Sequence, residues 1–358
     1  MMNLFVLSLI SLVSQVHGFN VIASNVRYSK TTALAAEVST RRSVLSNAVK
    51  SSIWLATTVG SIRSYPLDAN AAVGTLPEFA DTNSVLQSIT IQVGDQAQKQ
   101  SMIEFLKDGF DFKVLREQKN GSIEDVWMGF GPEQMSVPDD FVVPVSSFAM
   151  NGGHASIHIR YDSESKEALY KPGDPIPGNN IAYLQIGVPA YRISQMVKNG
   201  GDILSAYGFV DVVSPSGLPM RGIIGISPDP MMFIAINCQN VKESRTFYEQ
   251  IGFVEQPYPY ARPSNGKGQF EPPQPKNSVY LSPTKNGMGI LLLQATKPRK
   301  AVQPNPVVQS LNIVYQPSEG TVADVDSGAM KISDLSGVPL AFESVKVFED
   351  LELKTRIK

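Results

Sequence analysis

Apolar and polar positions along this chain repeat one order: a short strand pattern, a turn, an amphipathic helix, then strand again. From Met232 to Gln256, Phe233, Ile234, Ala235 and Ile236 form an apolar run of buried-strand length. Cys238-Gln239-Asn240 predicts a turn, with Asn240 as helix N-cap and Glu243 three residues on completing the capping pattern. Phe247, Tyr248 and Ile251 then share one helical face, Gly252 predicts the helix end, and Phe253-Val254 opens a second strand. Residues 88–117 repeat the plan: a strand to Val93, a turn at Gly94-Asp95, Met102, Phe105 and Leu106 facing inward, and an exit through Gly109-Phe110. A repeat of this length predicts duplicated domains.

The strand pattern fills in the rest. Phe112–Arg116, Val126–Pro132 and Ala155–Tyr161 complete a first unit, and the Pro- and Gly-rich 171–178 closes it as a linker. A second unit holds strands at Ala182–Val188, Val210–Val213 and Met220–Ile226, with a helix over Tyr191–Lys198. The third is the stretch described first, with further strands at Val279–Leu281 and Ile290–Gln294. The fourth runs from Leu311–Tyr315 to Leu340–Phe342. Units two and four share a turn, Ser214-Pro215-Ser216-Gly217 matching Asp334-Leu335-Ser336-Gly337. Four βαβββ-like units are expected, paired one with two (84–228) and three with four (229–348).

Composition narrows the function classes. The 358 residues are 42% hydrophobic and 18% charged, as in ordinary globular proteins. Up to Ala71 basic residues outnumber acidic ones, so the remainder is more acidic than the chain's net charge of −2. A basic face for nucleic acid is not expected. Cys238 is the only cysteine, which excludes an intrachain disulfide and a thiolate metal cluster. Beside a buried strand it reads as a packed small hydrophobe.

The first 71 residues read as targeting information. Leu4–Val16 is an apolar run of signal-peptide length, and Val16-His17-Gly18 offers a cleavage site before Phe19, giving a signal peptide over 1–18. Residues 19–50 are rich in Ser, Thr, Ala and Arg and nearly free of acid, as transit peptides are, so 19–71 reads as a transit segment with a possible further signal. This arrangement resembles the bipartite plastid leader of diatoms and other algae with complex red plastids. Arg41-Arg42, the apolar patch Ile53-Trp54-Leu55-Ala56 and Ala69-Asn70-Ala71 resemble a twin-arginine signal, which implies the thylakoid lumen. The alternative is the plastid stroma. No integral membrane span is expected in the mature chain.

Val93-Gly94-Asp95, Phe105…Gly109, Met128-Gly129-Phe130-Gly131-Pro132-Glu133, Lys198-Asn199-Gly200-Gly201 and Ser214-Pro215-Ser216-Gly217 resemble, in order, the landmarks of glyoxalase I proteins in their fused two-domain form. The resemblance covers roughly residues 84–348. It implies an α+β fold: two vicinal-oxygen-chelate domains, each of paired βαβββ units forming a cup-shaped sheet. It also implies a divalent metal held by His or Gln and Glu from the first and fourth strands of paired units. Carried over one by one, those positions fall on Ser88 (beside Gln87), His158, Tyr183 and Arg221 in the first domain. In the second they fall on Met232 or Phe233, Leu292, Gln309 or Ser310, and Ala341, with Glu343 two residues on. Neither set suits a metal, and no metal or other cofactor is expected. His154 and His158 lie roughly 13 Å apart along one strand, too far to share an ion at imidazole–zinc distances of about 2.1 Å.

Three functions fit this reading. The first is a module that has lost the metal ligands and binds a protein partner or a small molecule, the latter in the first cup through His158, Tyr183 and Arg221, Arg221 meeting an anion. The second is a diverged glyoxalase-type lyase or isomerase using the same residues. The third is a scaffold for a thylakoid protein partner, docking through the insertion 255–276. That insertion carries six prolines interleaved with Tyr258, Tyr260, Arg262 and Phe270. It suits a docking arm or a loop over its own cup.

Overall fold

The structure, a computed structural model, describes residues 84–131, 133, 136–137, 141–142, 154–165, 169–203, 209–225, 229–259, 274–284, 287–296, 301–315 and 330–357. The leader, Asp139-Asp140 and residues 260–273 lie outside the described residues.

The first unit comprises β1 (Ser84–Val93), α1 (Gln96–Phe110), β2 (Lys113–Asn120), β3 (Ile123–Gly129), the short strands β4 (Ser136–Val137) and β5 (Phe141–Val142), and β6 (Ser156–Asp162). Asp95 caps α1 by accepting from Gln98 N. The helix runs past the expected stop at Gly109 to Phe110 because Asp111, not the glycine, takes the left-handed cap conformation, at φ 69°. The second unit holds β7 (Ile181–Val188), α2 (Ile193–Lys198), β8 (Asp202–Ile203), β9 (Phe209–Val213) and β10 (Pro219–Ile224). The third holds β11 (Met231–Cys238), α3 (Val241–Gln250), β12 (Val254–Glu255), β13 (Ser278–Ser282) and β14 (Gly289–Gln294). Asn240 caps α3 as the sequence predicts, its Oδ1 accepting from Lys242 N and Glu243 N, and Gly252 leaves the helix at φ 90°. The fourth unit has β15 (Val308–Tyr315), β16 (Met330–Ser333), β17 (Pro339–Ser344) and α4 (Val345–Thr355), a helix the sequence pattern did not reveal.

The units pair differently from the expectation. β1 lies antiparallel to β15 and β7 antiparallel to β11, so unit one joins unit four in one sheet and unit two joins unit three in the other. Sheet one has the order β16-β17-β15-β1-β6-β3-β2, and sheet two the order β12-β13-β14-β11-β7-β10-β9-β8. Within each unit the first and last long strands run parallel, as in β1–β6, β7–β10, β11–β14 and β15–β17. The architecture is α+β, two cup-like sheets of paired βαβββ units. The units that share a sheet are not neighbours along the chain in the case of sheet one.

Alternation along the first strands separates two faces. Leu86, Ile89, Ile91 and Val93 enter the large apolar core that also takes Leu184, Ile186, Ile234 and Ile236 from sheet two. A register shift between Leu86 and Ser88 puts Gln87 and Ser88 together on the concave wall. The shared turn of units two and four is the same object twice: Ser214 N donates to Leu218 O and Asp334 N to Val338 O. The Ser214 hydroxyl and the Asp334 carboxylate each accept from the backbone N–H four residues on. Among the described residues no helix is long and apolar enough to cross a membrane.

Candidate functional site

The two cups differ in chemistry. Sheet two is filled from within: Tyr183, Ile223, Met232, Phe233, Ala235, Tyr280 and Leu291 form one apolar cluster. Phe233 is ringed by Tyr183, Tyr258 and Tyr280, with centroids 6.2, 5.7 and 5.9 Å away. Tyr258 comes from the Pro-rich insertion, so the described start of that segment covers the chain's own cup. Arg221 lies 3.8 Å over the Tyr183 ring and is gripped in bidentate fashion by Asp211, at 2.6 and 2.8 Å. Asp211 stands directly opposite Arg221 in the β9–β10 ladder.

This arrangement corrects the expected trio. Tyr183 and Arg221 share sheet two, whereas His158 lies on β6 in sheet one, so the three do not line one cup. The cause is the pairing of units one and four, which removes unit two from the His158 site. Leu292 also departs from expectation, joining the core cluster while its neighbours Leu291 and Leu293 face the cup.

Sheet one keeps its concave face open. A cavity of about 240 Å³ is walled by polar side chains from units one and four, among them Gln87, Thr90, Arg116, His158, Asn312 and Glu343. Four of the positions matched to the metal ligands, Ser88, His158, Ser310 and Ala341, line this one cavity. Two hydroxyls, a methyl group and one imidazole do not fit a divalent cation. The imidazole is also committed, with Nδ1 3.0 Å from Thr90 Oγ1 and Nε2 2.8 Å from Asp125 Oδ1. Among the described residues no three His, Cys, Asp or Glu side chains are placed to hold a metal. Glu343, half-buried on the wall, is pushed above the usual carboxylate range by burial, against the pull of Arg116.

Aromatic stacking and one buried ion pair shape the wall. The His158 ring stacks on Trp127 at 4.2 Å and 9°, and the Arg116 guanidinium covers the indole at 4.1 Å. Phe348 of α4 flanks Arg116 at 5.2 Å. Arg116 Nε lies 2.8 Å from Glu133 Oε2, with both side chains almost wholly buried. Glu133 also accepts from Ser156 Oγ and Gln87 Nε2. Burial drives Glu133 upward from its ordinary pKa, and Arg116 is the largest opposing influence. Arg116 Nη1 and Gln87 Oε1, both on residues that line the cavity, are buried without a hydrogen-bond partner among the described residues.

Asp125 is the anionic centre of the far wall. Burial opposes its ionisation, yet hydrogen bonds from His158 and Arg160 hold it at about 2. His158 is driven below its usual value, first by burial, with Asp125 resisting. It is therefore neutral at physiological pH. Arg116, Asp125, Trp127 and Asn312 were not singled out from sequence. The available signal was alternation: Asp125 and Trp127 occupy successive same-face positions on the strand opposite Arg160 and His158.

No family model and no curated relative matches this chain. Among solved structures, glyoxalase I from Zea mays matches over 75% of this chain and 95% of its own, with a TM-score of 0.53 at 13% identity. A variant of the same maize enzyme covers 79% of this chain and 99% of its own, with a TM-score of 0.52 at 12% identity. Identity this low speaks to fold. The chain carries the duplicated two-sheet fold of the vicinal-oxygen-chelate proteins, with hydroxyl, imidazole and methyl groups standing at the positions matched to the metal ligands of sheet one.

Proposed function

We propose that this protein binds a small oxyanion-bearing organic molecule in the cup of sheet one, without a metal. One observation carries the reading: the Arg116 guanidinium lines the polar cavity, and among the described residues its buried Nη1 has no hydrogen-bond acceptor. An unsatisfied buried donor of this kind costs about 1–3 kcal/mol, which an incoming carboxylate or phosphate oxygen removes. Arg116 thus takes the role expected of Arg221, whose guanidinium is already spent on Asp211. The cavity lies below the roughly 300–1,000 Å³ of sites for drug-sized ligands, so the occupant is a compact metabolite. Among the described residues the second cup is packed with apolar and aromatic side chains where the first is open.

Trp127 and Trp54 are the only tryptophans. In the full chain carrying Trp54→Phe, indole emission therefore reports on the cup alone. Titration with lactate, pyruvate and inorganic phosphate is expected to give saturable quenching with at least one of them, unchanged by EDTA. Arg116→Lys, which keeps the charge but not the planar fork, is expected to weaken it by about tenfold or more. Emission indifferent to every anion, or quenching that EDTA abolishes, overturns the reading.

The leader supports a plastid location, with the thylakoid lumen as destination and the stroma as the alternative. A fluorescent fusion of residues 1–72 is expected to enter the plastid and to be stranded outside by Phe19→Ala. Import indifferent to that change would sink the bipartite reading.

A further inference from the structure

The hydrogen bonds around His158 run in one direction from end to end. Asp125 is ionised and only accepts, so His158 Nε2 carries the proton and donates to it across 2.8 Å. His158 Nδ1 is then an acceptor, and the Thr90 hydroxyl donates to it across 3.0 Å. Ser310 Oγ donates to Asn312 Oδ1 at 2.7 Å, which fixes the amide so that Nδ2 donates to Ser88 Oγ and Thr90 Oγ1, each at 2.7 Å. The indole of Trp127 lies flat against the imidazole and holds its plane. Hydroxyl, neutral base and orienting carboxylate stand within reach of one another, and Thr90 lines the cavity. Ser88 and Ser310 line it too, but neither hydroxyl reaches the base.

We propose that this relay makes the sheet-one cup an acyl-transfer site for small oxygen esters, with Thr90 as nucleophile, His158 as general base and Asp125 as positioning residue. The inference rests on the reading of that cup as a small-molecule site. Thr90 Oγ1 bonds to the ester carbonyl carbon while its proton passes to His158 Nδ1, and the carbonyl π pair moves onto oxygen. Arg116, which lines the same cavity as Thr90, would supply the positive charge for that oxygen. Collapse breaks the bond to the leaving alkoxide, which takes the proton from Nδ1 and departs as alcohol, leaving an O-acyl threonine. Water then attacks the acyl carbon, giving its proton to His158 Nδ1. The acid is released, and the same proton returns to Thr90 Oγ1. Water is the only co-reactant.

The test uses the full chain and p-nitrophenyl acetate. The wild type is expected to release p-nitrophenolate and to carry one acetyl group on Thr90, located by peptide mass spectrometry. Thr90→Val and His158→Gln are expected to lower release by roughly 100-fold or more. Thr90→Ser, which restores a hydroxyl, is expected to be acetylated at position 90. Asp125→Asn is expected to reduce the rate of acetylation while Trp127 emission stays that of the folded chain. If Thr90→Val fails to fold, the position of the acetyl group in the wild type and in Thr90→Ser still decides. An acetyl group found elsewhere, none at all, or release undiminished in folded Thr90→Val overturns the proposal. Saturable anion quenching of Trp127 without acetylation removes only the acyl-transfer step. Absence of both removes the binding reading as well.

Discussion

Arg116→Met is expected to destabilise the protein by about 3–5 kcal/mol, the usual cost of stranding one member of a buried ion pair. The pair is deeply enclosed, with 3% of the Arg116 side chain and 1% of the Glu133 side chain exposed. Methionine keeps much of the apolar contact with Trp127 and Phe348, so lost packing contributes little. The penalty falls on Glu133, whose carboxylate has Arg116 as its strongest support against burial. Without that support its folded-state pKa climbs further above the unfolded value. The stability attached to a raised carboxyl is present at low pH and is lost as pH rises through the folded value. The cost of Arg116→Met should therefore be smaller at pH 5 than at pH 8. Adding Glu133→Gln, which cannot ionise, should recover much of the loss at the higher pH. Urea unfolding at both pH values measures all three quantities. A cost below about 1 kcal/mol at both would mean that the pair is solvated.

The second large effect belongs to Asp229, which links the sheets. Its Oδ2 accepts from Ala155 N at the head of β6, and its Oδ1 from Met231 N at the start of β11. Burial raises this carboxyl from an ordinary 3.8 to about 7. Between those values the unfolded chain has released the proton and the folded chain retains it. Stability therefore falls as pH rises through this window, by about 1.4 kcal/mol per pH unit and about 4 kcal/mol in all. Asp229→Asn removes that slope. An amide also turns one N–H donor toward a backbone N–H, a loss of about 1–3 kcal/mol at low pH. The variant is expected to be clearly weaker than wild type near pH 4.5 and to draw level or overtake it near pH 8. Comparing the two midpoints at each pH cancels the other buried carboxyls. Parallel curves would refute the assignment.

Much of the local structure was legible in the sequence because it is locally determined. The Asn240 cap, the strand–helix–strand repeat and the paired turns at Ser214 and Asp334 each follow from residues a few positions apart. Partnership between units was not legible. It is decided by the β1–β15 ladder, where Ser88 lies opposite Asn312, and nothing near either residue encodes the other. That one long-range fact reassigned the site. It separated His158 from Tyr183 and Arg221, and it gave His158 the company of Asn312, Ser310 and Glu343 instead. The burial of Arg116 was hidden for a related reason. Its strand alternates as an edge strand should, but α4, which the sequence pattern did not reveal, folds back and brings Phe348 against it.

The same pairing has a bearing on how the molecule is made. All the strands of sheet two lie in one continuous stretch, from Ile181 to Gln294, so a nascent chain can complete that sheet while its C-terminal end is still in the ribosome. Sheet one cannot close then. β1 leaves the ribosome early and waits with an open hydrogen-bonding edge until β15 has been synthesised. A chain released before Val308 would hold a full second sheet and half of the polar cup. The polar cup of sheet one is thus the last part of the fold to form, and its presence certifies that the chain has been made through Leu351.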